Sequence, residues 1–175
     1  MSVLGELQPN KVFKYFEEIC SIPHGSRNLQ QISDYLVDFA KAHELKYRQD
    51  EDLNVIIWKD GSKGYEASEP VILQGHMDMV AVKEADCDKD MEKEGLDLEI
   101  NGDYISAKGT SLGGDDGIAV AYTLAVLDDE EMAHPPIEAI FTVNEEIGML
   151  GAATIDVSDL KGRLFMNMDS EDEGV

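Results

Sequence analysis

Apolar segments of this 175-residue chain end in, or lead into, acidic or imidazole groups at four places: His76 and Asp78, Asp115 and Asp116, Glu145 and Glu146, and Asp169. Together these are the residue types that metal-assisted hydrolysis needs. Zinc takes imidazole nitrogen and carboxylate oxygen in a roughly tetrahedral shell, and a catalytic ion keeps one position for water. Two ions about 3.5–4 Å apart share one bridging carboxylate and a bridging water. A free carboxylate must also accept the proton of the attacking water and pass it to the leaving group. In an extended strand residues i and i+2 face the same way, so Asp78 can hydrogen-bond His76 from behind and fix its tautomer. Neighbouring Glu145 and Glu146 point in different directions on an extended segment, which lets one bind metal while the other serves as base.

Taken singly, each group has a plainer reading. Adjacent acids recur at Glu17-Glu18, Glu51-Asp52 and Asp128–Glu131, so Glu145-Glu146 alone reads as a solvated turn. Asp115 or Asp116 beside a helix start reads as an N-cap. A lone His76 at a strand end reads as a structural histidine, and Asp169 sits in an acid-rich tail. The conjunction carries the weight. Each group stands at the terminus of an element, with Gly75, Gly113, Gly114 and Gly148 crowded around them.

The elements that must position these groups follow from periodicity and breakers. Pro9 at a first helical position and Val12, Phe13, Phe16, Ile19 and Cys20 at helical spacing predict a helix that stops near Ile22-Pro23. A second helix is expected from about Asn28 to His43, then a short strand at Leu45–Arg48 and another at Asn54–Trp58. Val71–Gly75 reads as a buried strand delivering His76, and residues 83–95 as an irregular acidic excursion. Leu96–Ile100 and Tyr104–Ala107 flank Asn101-Gly102, a hairpin signal. A strongly apolar helix, Ile118 to Leu127, opens at Asp116 or Gly117, and its all-round apolarity predicts burial against the sheet. Pro135-Pro136 precedes a strand at Ile137–Val143, a short helix begins near Met149, and a last strand, Arg163–Met168, delivers Asp169. Strands alternating with helices predict a three-layer α/β domain with a mixed, mainly parallel sheet and one antiparallel hairpin. In such sheets ligands bind beyond the carboxyl ends of the strands, so the four groups are expected on one edge.

Composition narrows the partners. Fourteen Lys and Arg stand against 37 Asp and Glu, for a formal charge of −23. That argues against nucleic acid and anionic membrane surfaces, both of which want basic protein. Neither a signal peptide nor an apolar run approaching the ~20 residues of a membrane span is present, and a cytoplasmic address is expected. Cys20 and Cys87 form no metal-binding or disulfide pattern.

The ordered set Gly75-His-Met-Asp-Met-Val80, Gly109-Thr-Ser-Leu-Gly-Gly-Asp-Asp-Gly117, Asn144-Glu-Glu-Ile-Gly-Met-Leu-Gly-Ala152 and Asn167-Met-Asp169 resembles the zinc-dependent exopeptidases that include aminoacylase, carboxypeptidase G and the bacterial dipeptidases. The resemblance begins at the first helix, with Ser21–Ser26, and covers nearly the whole chain. It implies a three-layer α/β/α catalytic domain that hydrolyses small peptides, dipeptides with a carboxy-terminal histidine first, and tripeptides or acylated amino acids as the near alternatives. It implies two divalent metal ions, zinc before cobalt or manganese: His76 and Asp169 on one, Asp115 bridging, Glu146 on the second. Glu145 is then the general base, Asp78 the support of His76, and the Asp115–Asp116 peptide cis; position 116 is Asp where relatives often have Asn. The family takes a further histidine from the far carboxy-terminal part of its catalytic domain, and His24, His43 and His134 lie outside the motifs. Residues 1–175 therefore read as the amino-terminal part of a longer catalytic domain. A lid domain that forms a homodimer is absent, and this part alone is expected to be inactive or nearly so. The rival from another class is a non-catalytic acidic module that binds cations through oxygen alone.

Overall fold

The computed structural model describes residues 2–169. In chain order its elements are α1 (Asn10–Cys20), α2 (Gln30–Ala42), β1 (Lys46–Gln49), β2 (Val55–Lys59), β3 (Val71–His76), β4 (Leu98–Asn101), β5 (Tyr104–Ala107), α3 (Gly114–Leu127), β6 (Ile137–Thr142), α4 (Leu150–Thr154) and β7 (Leu164–Asn167). Every expected element forms, with ends displaced by a residue or two. The five-stranded sheet runs in the order β1-β2-β6-β3-β7, antiparallel between β1 and β2 and between β2 and β6, and parallel across β6, β3 and β7. Only β2 points against the other four strands, so the sheet is mixed and mostly parallel.

Alternation along the strands divides the two faces. Val55 and Ile57 of β2, Leu73 of β3, and Ala139 and Phe141 of β6 share one face and join a single apolar cluster with α1, α2 and α3. That cluster is the core, and each fully buried Leu, Ile or Phe in it is worth about 1.5–3 kcal/mol. The apolarity of α3 finds its explanation here, because it lies between β3 on one side and α1 on the other. The opposite face, with Ile56, Ile72, Glu138, Ile140 and Thr142 buried, is crossed by α4 and the segment that follows it. Glu138 anchors that crossing: its buried carboxylate accepts the backbone N–H groups of Lys161 and Gly162 at 2.9–3.0 Å. Thus three layers form, helical on one face and largely irregular on the other. β7 is an edge strand with Leu164, Phe165 and Met166 exposed.

The hairpin differs in detail from expectation. Asn101 pairs with Tyr104, so the two turn residues are Gly102 and Asp103 rather than Asn101 and Gly102. Gly102 supplies the left-handed φ of +64° at the first turn position, where a side chain would be strained. No helix among the described residues is long and apolar enough to cross a membrane.

Candidate metal centre

β3 and β6 run parallel and end side by side, with His76 opposite Thr142. His76 therefore emerges at the same edge as the turn that carries Glu145 and Glu146, and α3 begins above it. Two things let α3 approach so closely. Gly75 offers no side chain under the first turn of the helix, and Gly113, at φ +68°, turns the chain into it. The backbone is not yet helical at Asp115 and Asp116, which are joined by a cis peptide, and neither aspartate caps the helix. Asp115 is left pointing outward, largely exposed, whereas Asp116 is buried.

His76 is 1% exposed, and its backbone N–H and both ring nitrogens are engaged. Its backbone N–H donates to Asp116 Oδ2 at 3.2 Å. Ring Nδ1 lies 2.9 Å from the main-chain carbonyl oxygen of Asp78, which assigns the Nδ1 proton, and Nε2 lies 2.9 Å from Asp115 Oδ1. Asp78 was expected to support the ring through its carboxylate. Its Oδ1 stands 3.6 Å from Nδ1, too far for a hydrogen bond, although near enough to favour positive charge on the ring. The buried Asp78 carboxylate is spent elsewhere, accepting Glu145 N–H at 3.0 Å on Oδ1 and the Ser26 hydroxyl at 2.7 Å on Oδ2.

The remaining predicted groups gather around Nε2. Glu145 Oε2 is 4.0 Å from it. Ligand atoms of His76, Asp115 and Glu146 lie within 4.8 Å of one another, and so do those of His76, Glu145 and Asp169. The structure thus brings together His76, Asp115, Glu145, Glu146 and Asp169, with the single imidazole common to both groups. His24, His43 and His134 belong to neither.

The electrostatics fit a cation. Burial would lower the His76 pKa, but Asp78, Asp116 and Asp115 outweigh it and raise it to about 9. Burial pushes the Asp116 carboxyl up to about 7, with Asp169 and Asp115 adding to the rise against the opposing pull of His76. Glu146 is raised by burial and then by Asp115. Carboxylates crowded at one another's expense around one imidazole are what a divalent ion relieves. The residues present therefore suit an oxygen-and-imidazole shell of the zinc type.

Asp116, Ser26 and Asn144 contribute in ways that their residue types alone do not announce. Asp116 looks like its neighbour in sequence, and only its place against the buried helix separates them. Ser26 reads as an ordinary turn residue. Asn144, at φ +53°, accepts the backbone N–H of Arg27 at 2.8 Å and so turns the chain out of β6 into Glu145; the tolerance of Asn for this conformation is the one signal it carried.

No family model matches the chain. It is 40% identical over 174 residues to the cytosol non-specific dipeptidase of Escherichia coli, covering 99% of this chain and 36% of that protein. The crystal structure of aminoacylhistidine dipeptidase from Vibrio alginolyticus superposes with a TM-score of 0.94 at 40% identity, over 99% of this chain and 35% of the other. A tripeptidase from Staphylococcus aureus, at 23% identity and a TM-score of 0.77, shares the fold. The chain spans about a third of the length of the two dipeptidases.

Proposed function

Because this chain belongs to the family of the cytosol non-specific and aminoacylhistidine dipeptidases, we propose that the protein is a metal-dependent dipeptidase. The divalent ions, zinc first and cobalt or manganese as substitutes, are held by His76, Asp115, Glu146 and Asp169. The observation that carries this reading is the meeting of His76 with Asp115 and Glu146, and with Glu145 and Asp169, at one sheet edge. In it His76 and Asp169 would hold one ion and Glu146 the second, with Asp115 serving both. When bound, the ions supply a more acidic water and polarise the scissile carbonyl.

The chain's own groups do the rest. Glu145, kept near Nε2 by its backbone bond to Asp78, takes the proton of the attacking water and delivers it to the leaving amine. Asp78 O, by accepting from Nδ1, presents Nε2 toward the carboxylates. Dipeptides of the Xaa-His type, β-alanyl-histidine among them, are the substrates of this proposal. A cytoplasmic address, a lid domain and a homodimer formed through that lid belong to it as well.

The test is zinc binding after chelation and re-addition, followed by calorimetry, on wild type and His76→Ala. Loss of one imidazole ligand is expected to weaken binding by about 100-fold. Unchanged zinc affinity in the variant would sink the reading and favour an acidic module binding through oxygen alone.

A further inference from the structure

The Asp78 carboxylate is buried, yet it makes no hydrogen bond to the imidazole two residues before it. One oxygen accepts the backbone N–H of Glu145 and the other accepts the hydroxyl of Ser26, at 3.0 and 2.7 Å. Ser26 is itself fixed: its N–H donates to Met79 O, Met79 N–H donates to His24 O, and Gly25 bridges Met79 in parallel. The next residue, Arg27, is held at φ +72° and donates its N–H to the Asn144 side chain, one residue before Glu145. The turn at residues 24–27 is therefore stitched to the strand end on one side and to the turn holding Glu145 on the other. Of these links, the Ser26 hydroxyl on Asp78 is the one made between two side chains.

We propose that Ser26 is a positioning residue for Glu145, acting through the Asp78 carboxylate. The hydroxyl donates to Oδ2 and locks the carboxyl plane so that Oδ1 faces the Glu145 N–H. Arg27 and Asn144 form the second, direct link between the same two turns. Without the hydroxyl, Oδ2 is a buried acceptor short of its donor, and the carboxyl group rotates toward the nearest alternative, His76 Nδ1–H at 3.6 Å. Glu145 then loses its backbone anchor while the imidazole keeps its own, from the Asp78 carbonyl. Ser26 thereby affects the placement of the base and leaves the hold on metal alone. That consequence rests on Glu145 being the base; the brace itself does not.

Amide hydrogen exchange resolved at Glu145 tests the brace directly in Ser26→Ala and in Ser26→Thr, which retains a hydroxyl. Ser26→Ala is expected to speed exchange at the Glu145 N–H by about tenfold, with Ser26→Thr restoring protection. Zinc affinity should stay within about twofold of wild type, and in hydrolysis by the whole protein kcat should fall about tenfold with KM unchanged. Unaltered Glu145 exchange in Ser26→Ala would overturn the inference. So would a loss of zinc binding as large as that of His76→Ala, which would place Ser26 behind the imidazole instead. If exchange responds as expected but wild type neither binds zinc nor hydrolyses peptides, the brace stands and the hydrolase reading falls.

Discussion

Gly75 stands directly beneath Asp116: a Cβ at position 75 would lie 2.9 Å from Asp116 Oδ2 and 3.1 Å from Ala119 Cβ. The close approach lets the Asp116 carboxylate accept the His76 N–H and places Asp115 over the imidazole. Gly75→Ala forces α3 to lift. It is expected to cost about 1–3 kcal/mol of stability and to weaken zinc binding about tenfold. Denaturant unfolding and calorimetric zinc titration check the two effects, and a destabilised variant with full zinc affinity would show that α3 moves without carrying Asp115.

Glu138 gives a second prediction, at the end of β6 opposite to the one that meets His76. Its carboxylate is buried and accepts two backbone N–H groups, from Lys161 and Gly162. In Glu138→Gln one acceptor becomes a donor facing donors, so a loss of about 2–3 kcal/mol is expected. Glutamine matching glutamate in urea unfolding would mean that this contact does not anchor the crossing segment.

A third concerns pH. Glu17 accepts from the Ser2 hydroxyl and from the N–H groups of Val3 and Leu4, placing the fully buried Leu4 side chain. Burial alone would raise its pKa, but these three donors outweigh it and hold the carboxyl below its ordinary 4.5. A depressed carboxyl stabilises the fold above its ordinary value, and that contribution fades as the pH falls through the lower, folded-state value. Wild type should therefore exceed Glu17→Gln in melting temperature near neutrality, and the gap should close as the pH falls below the ordinary carboxyl value. A gap that widens with acid contradicts the assignment.

Much of this architecture is legible in the residues themselves. Val71–His76 and Ile137–Thr142 are apolar runs bounded by breakers, and their polar ends mark one edge because parallel neighbours finish together. What stayed hidden has physical causes. The reversal of β2 leaves no trace, because alternation is the same in either direction. The partner of His76 Nδ1 is a main-chain carbonyl, which every residue carries, so side-chain spacing pointed to the Asp78 carboxylate instead. Asp115 and Asp116 differ only in which way the backbone turns each of them.

The strand at the centre of the sheet is made late. β6 sits between β2 and β3, yet its residues follow theirs by more than sixty positions. As the chain leaves the ribosome, β2 has only β1 to pair with, and β3 has no partner strand at all until residues 137–142 emerge. Insertion of β6 is then the step that joins the two halves of the sheet, and such distant pairing is slow to find. The same step brings Glu145 up to His76, and Asp169 follows when β7 adds to the free edge of β3, so the candidate metal centre fills in the order in which the sheet grows.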